Sequence, residues 1–280
     1  MEITISVFIV LTLAIQSLAA LGDPFPVGYS MGNLGTILWK RGAPGQQPWI
    51  PSAYIDKNSK WGLSAGVVSF YGKTGNYRDR SIYRVIGGVW YCTPLMNFKL
   101  SFTQLDVFGI YYEQSVFVSA SGSVFSLFDV SIEASAYRTG LKDNSEQVRT
   151  IGEIGSSFWF PLNLVSLSVS VDHYVIKKSG ITGADPPLTI RAGIHTKLNR
   201  FGAQGVLIEI VPEFEKSIRL IIGEEYRIVR WLGIHGAVGN NPLMIGIGLV
   251  FDWKRSGVNA GLVNHPVLGW SRGFSLYYRK

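Results

Sequence analysis

The chain has 280 residues and a net charge of +7, with 47% hydrophobic and 16% charged residues. A soluble domain usually carries about 25% charged residues, so this balance favours a surface that meets lipid, or a large all-β core, over a charged soluble surface. The Lys and Arg residues are scattered, as a local group at Lys73, Arg78 and Arg80 and as pairs such as Lys177–Lys178 and Lys254–Arg255. No basic stripe and no nucleic-acid motif emerges, so no nucleic-acid partner is expected. The single cysteine, Cys92, excludes an internal disulfide and a cysteine-built metal site.

In chain order, Val7–Leu21 is an apolar run, followed by the helix breakers Gly22, Asp23, Pro24 and Pro26. It is shorter than the ~20 residues a membrane-spanning helix needs. Ser17 and Ala19 have the small-residue spacing of a signal-peptide cleavage site. Residues 1–19 are therefore expected to be a signal peptide, although no Lys or Arg precedes Lys40. Residues 20–60 hold Pro24, Pro26, Pro44, Pro48 and Pro51. They read as an N-terminal segment, either an inward plug or a periplasmic tail.

From residue 61 onward the dominant signal is alternation with a period of two. In the stretch 164–175, Val165, Leu167, Val169 and Val171 alternate with Ser166, Ser168, Ser170 and Asp172. In 128–138, Phe128, Val130, Ile132, Ala134 and Ala136 alternate with Asp129, Ser131, Glu133 and Ser135. The stretches 98–105 and 188–197 behave alike. Successive side chains of a strand point to opposite faces, so each segment has one apolar and one polar face.

Turn residues bound these segments at Gly75–Asn76, Lys142–Asn144, Gly239–Pro242 and Lys254–Gly257. Strands are expected near 61–72, 82–93, 96–105, 113–121, 126–138, 148–159, 163–175, 187–197, 203–211, 216–229, 231–238, 242–252, 256–263 and 272–280. That makes fourteen, with twelve as the alternative.

Many of these strands are longer than the ~5–6 residues common in sandwiches and match the ~9–11 residues of a tilted membrane strand. Aromatic residues gather near strand ends, at Trp61, Tyr71, Trp90–Tyr91, Phe158–Trp159, Tyr174, Trp231, Trp253, Trp270 and Tyr277–Tyr278. They are expected to form interfacial girdles. The fold expected is all-β, a transmembrane antiparallel up-and-down barrel of about fourteen strands over residues 61–280. The expected location is the bacterial outer membrane, with membrane lipid as a partner.

The polar parity of these strands proposes lumen-lining residues of both signs: Lys99, Asp129, Glu133, Asp172, Arg191, His195, Lys197 and Arg219. Mixed charge of this kind suits ion pairing across a filled or narrow interior. Gly246 and Gly248 fall on the same parity, where they relieve crowding or leave room for a ligand. The four histidines, His173, His195, His235 and His265, stand outside any metal-ligand spacing, and no serine lies in a nucleophile elbow. Neither an enzyme, a cofactor nor a metal is expected.

The C-terminal region adds a resemblance. Gly223–Glu224–Glu225–Tyr226, Leu232–Gly233–Ile234–His235–Gly236, Asn241–Pro242–Leu243, Gly246–Leu249 and Asn264–Gly269 before Phe274–Ser275–Leu276 are followed in order. This region resembles outer-membrane proteins related to long-chain fatty-acid transporters and their relatives in the type IX secretion system. Met31–Gly35 is similar to that family's M-G-N/G-A segment near its start, while Trp49–Ala53 stands where its N-P-A-G-L stretch would be. The resemblance implies a fourteen-stranded barrel with a small N-terminal element. It also implies either passage of a small, hydrophobic molecule or a non-transporting role docking secretion-system proteins.

Overall fold

The computed structural model describes residues 60–70, 82–107, 111–124, 128–141, 144–162, 165–179, 188–197, 202–210, 218–240, 243–265 and 269–280. The expected signal peptide and N-terminal segment, apart from Lys60, lie outside these residues.

Fourteen strands follow one another: β1 (Trp61–Phe70), β2 (Ile82–Cys92), β3 (Met96–Val107), β4 (Tyr111–Val124), β5 (Phe128–Leu141), β6 (Asn144–Leu162), β7 (Val165–Ser179), β8 (Thr189–Lys197), β9 (Gly202–Ile210), β10 (Ile218–Val229), β11 (Leu232–Gly239), β12 (Met244–Trp253), β13 (Ser256–His265) and β14 (Gly269–Arg279). Each pairs antiparallel with its sequence neighbours, and β1 pairs with β14 to close the barrel. Closure leaves no edge strand, so backbone donors and acceptors along the wall find partners without water.

The seam is tied at its end by both termini of the barrel. Lys60 N donates to Lys280 O at 2.5 Å, and Lys280 N donates to Trp61 O at 2.8 Å. Lys280 is therefore engaged with the start of β1, although an aromatic residue often ends such a strand.

The connections at this rim are short. Residues 230–231 and 254–255 are two-residue turns, the latter with Lys254 at φ 52°. Cys92–Met96 turns through Thr93, whose Oγ1 donates to Met96 O at 2.7 Å and accepts from Met96 N at 2.8 Å. These are turn conformations that polar side chains and left-handed backbone sustain.

The two faces of the wall separate by alternation. Val118 is 54% exposed while its neighbour Phe117 is 3% exposed. Leu63, Val67, Val85, Val89, Leu100, Phe102, Ile132, Leu249 and Leu276 share the outward face. Ser64, Asn97, Ser101, Thr103, Ser115, Ser119, Ser121, Ser131, Asn259, Ser271 and Ser275 are buried on the inward one. A soluble protein inverts this, and a membrane barrel requires it.

Outward-facing Trp61, Tyr91, Trp231, Phe251 and Trp253 gather at the rim where the termini meet, and Trp270 marks the opposite rim. Trp231 meets Phe251 edge-on at 5.3 Å, and Trp61 lies 5.6 Å from Tyr278. Amphipathic rings prefer this interfacial level.

Among the described residues, two members of the expected girdle face inward; Tyr71 and the side chains of Phe158 and Trp159 lie outside the described ones. Trp90 and Tyr277 are buried inside the barrel and form a small cluster with Cys92. The reason is the alternation itself. In the doublets Trp90–Tyr91 and Tyr277–Tyr278, one ring points inward and the other outward.

The apolar outer face is also interrupted. Glu224 on β10 and Arg272 on β14 both fall on the outward parity. Arg272 lies two residues from Trp270 near a rim, where a long stem can carry its charge to the interface.

Candidate functional site: the inner wall of the barrel

On β3–β5 the inward residues are mostly small and hydroxylic. The Thr103 and Ser115 hydroxyls share a hydrogen bond of 2.6 Å, and Asn97 Nδ2 donates to Ser121 at 3.5 Å. Lys99 is buried among them, with Ser119 as its register partner and Glu133 next in the same row. Opposite charges thus stand two strands apart at one level. Asp129, nearer the rim, accepts a hydrogen bond from Ser123. Arg84 reaches from β2 across β3 to Glu113 on β4, at 3.4 Å.

Arg191 on β8 and Arg219 on β10 are both buried, and each is a register partner of Glu209 on β9. Asp172 lies in β7 opposite Thr189, His195 in β8 opposite Ser166 and Gly205, and Lys197 in β8 opposite Ala203. The side chains of these last three lie outside the described ones. The structure thus brings Lys99 and Glu133 into one row and Arg191 and Arg219 into another.

The tightest polar cluster was not among the sequence candidates. Arg227 Nε donates to Glu225 Oε1 at 2.7 Å, and its Nη1 donates to Asp252 Oδ2 at 2.7 Å. Glu225 and Arg227 are two residues apart on one strand, hence on one face. Asp252 lies on β12, one strand beyond β11, and the guanidinium crosses that strand over Gly233. A Cβ on Gly233 would stand 3.1 Å from Arg227 Cδ, so the bare glycine gives the arm room that a side chain there would narrow. The available sequence signal was the E-x-R spacing. It was masked because Glu224 precedes Glu225 and breaks the alternation.

Trp90 and Tyr277 use the same device. Gly62 is the register partner of Trp90, and Gly257 of Tyr277. A Cβ on either glycine would overlap the ring it faces. Each ring therefore lies flat against bare backbone.

His235 on β11 is the next inward residue after Gly233. It is 4% exposed, and neither Nδ1 nor Nε2 has a hydrogen-bond partner among the described residues. Its register partners are Glu225 on β10 and Gly248 on β12. Gly248 pairs with Gly261 on β13, and Gly261 with Gly273 on β14. The inner wall thus carries three adjacent glycines in one row, starting at an imidazole with no hydrogen-bond partner among the described residues.

A closed fourteen-strand wall, apolar outside and with its buried polar and charged residues inside, defines a transmembrane antiparallel β-barrel of the outer-membrane type. No protein-family model matches the sequence, and no curated protein is significantly similar to it. Solved structures do share the fold. The CymD monoaromatic hydrocarbon channel superposes with a TM-score of 0.67 at 10% identity, over 92% of this chain and 98% of that one. The Ralstonia pickettii toluene transporter TbuX gives a TM-score of 0.66 at 12% identity over the same shares. At these identities the likeness is one of fold.

Proposed function

We propose that this protein is a bacterial outer-membrane channel that passes a small hydrophobic molecule. The observation that carries the reading is the closed barrel with a lipid-compatible outer face, together with its likeness along 92% of the chain to two hydrocarbon channels. The inner wall supports a filled or narrow passage rather than a wide ion-selective pore. Its charges are of both signs, and Arg227 is paired with two carboxylates across β11. Lys99, Asp129, Glu133, Asp172, Arg191, His195, Lys197 and Arg219 are proposed as lumen residues.

The C-terminal resemblance supports membership of the group of barrels related to long-chain fatty-acid transporters. Residues 1–19 are proposed as a signal peptide and 20–60 as a plug or tail. The test is reconstitution of the folded protein into vesicles with a lipopolysaccharide outer leaflet, which slows apolar solutes where plain phospholipid does not, with toluene entry followed by a solute trapped inside. Entry above that of empty vesicles is expected, with small conductance in planar bilayers. No entry and no conductance, with periplasmic or surface proteins co-purifying, would overturn the channel in favour of the docking role.

A further inference from the structure

We infer that the row His235–Gly248–Gly261–Gly273 is a subsite for a small, flat, uncharged molecule bearing a hydroxyl or similar polar group, of the phenol type. This deepens the channel reading and rests on it, because a passage for plain hydrocarbons needs no hydrogen-bonding group.

The first observation is His235 itself. A neutral imidazole has one N–H donor and one acceptor nitrogen, and here both are buried without a partner among the described residues. Leaving such groups unsatisfied is unfavourable, which makes each one a position where a ligand's polar group gains affinity. Ser275 Oγ, the next inward residue after Gly273 on β14, also has no hydrogen-bond partner among the described residues.

The second observation is the shape of the wall. Neither register partner of Gly261 has a side chain, because both are glycines. Adjacent strands are about 4.8 Å apart, so three glycines leave a strip of bare backbone roughly 10 Å across, enough for a substituted ring. This protein already seats two of its own rings on inward glycines, Trp90 on Gly62 and Tyr277 on Gly257. A third ring lying on Gly248 and Gly261 with its hydroxyl at His235 repeats that packing.

Charge decides against anions. Glu225 and Asp252 share the single cation Arg227, so the cluster keeps a formal negative charge that repels an anion. An uncharged ligand with one hydrogen-bonding group avoids that penalty.

The experiment titrates the folded, detergent-solubilised full chain with phenol and with toluene by calorimetry, for the wild type, His235→Leu, His235→Gln and Gly261→Val. His235→Leu is expected to weaken phenol roughly tenfold and to leave toluene within about twofold, the size of one lost hydrogen bond. His235→Gln keeps a donor and an acceptor and is expected to restore part of the phenol affinity. Gly261→Val is expected to weaken both ligands. Folding of each variant is checked by its heat-dependent gel mobility.

An unchanged phenol affinity in His235→Leu overturns the subsite, as does an equal loss for both ligands. Either result would leave His235 to water or to packing alone. Vesicle entry of toluene is measured separately. Absent entry with intact His235-dependent phenol binding sinks the channel and keeps the site, and the reverse sinks only the site.

Discussion

Gly257 and Tyr277 are register partners on β13 and β14, and the phenol ring lies where a side chain on Gly257 would be. Gly62 and Trp90 repeat the relationship on β1 and β2. These pairs sit near the rim where the termini meet, beside the seam that closes the barrel. A bare glycine is thus covered by a ring from the next strand, which removes exposed backbone and fixes the register.

Substituting Gly257→Val or Gly62→Val should force the ring off the wall. The expected loss is about 1–3 kcal/mol, as for an overfilled core. Gly87 is the control, since a Cβ there meets only Ser64 O at 3.9 Å. Gly87→Ala should unfold at the wild-type temperature in a heat-mobility gel, and the two valine variants should unfold earlier.

The Arg227 bridge gives a second prediction. Its side chain and those of Glu225 and Asp252 are each no more than 14% exposed. Removing the cation leaves two carboxylates facing one another across β11. Arg227→Met is expected to cost about 3–5 kcal/mol, the usual penalty for breaking a buried pair. Adding Glu225→Gln and Asp252→Asn should recover much of that loss. A triple variant no more stable than Arg227→Met in urea titrations from lipid vesicles would show that the pairing is not what matters.

The outer face predicts a dependence on depth. Leu100 lies mid-strand on β3 and faces outward, whereas Tyr91 faces outward at the rim. Leu100→Arg should cost about 2–4 kcal/mol in a bilayer and Tyr91→Arg about 0–1 kcal/mol. Equal effects of the two in vesicle refolding would argue against a lipid-facing wall.

The strands were legible because their period-two signal is long and repeated. Leu164–Val175 and Phe128–Arg138 could be assigned from alternation alone, and the fourteen expected segments correspond to β1–β14. Boundaries shifted where alternation fades, as at β6, which starts at Asn144 and carries register shifts near Gly152 and Ile154. The inner site was harder to read. An aromatic doublet such as Trp90–Tyr91 sends one ring to each face, and only the register reveals that Gly62 lies under the inner one. Likewise, the Arg227–Asp252 contact depends on Gly233 opening a path across β11. That relation joins three strands and leaves no trace in local spacing.

The seam permits the last prediction, a direct test of closure. Ala65 on β1 and Leu276 on β14 are register partners. Directly opposed residues of an antiparallel pair lie within the roughly 4.4–6.8 Å Cα separation that a disulfide spans. In a Cys92→Ser background, Ala65→Cys with Leu276→Cys should crosslink under mild oxidation. The product should keep its folded gel mobility after boiling in the absence of reductant more fully than the reduced form. Ala65→Cys with Phe274→Cys is two residues out of register and should crosslink much less. Equal crosslinking of the two pairs would mean that β1 slides along β14, and no crosslink in either would mean that the barrel is open at this seam.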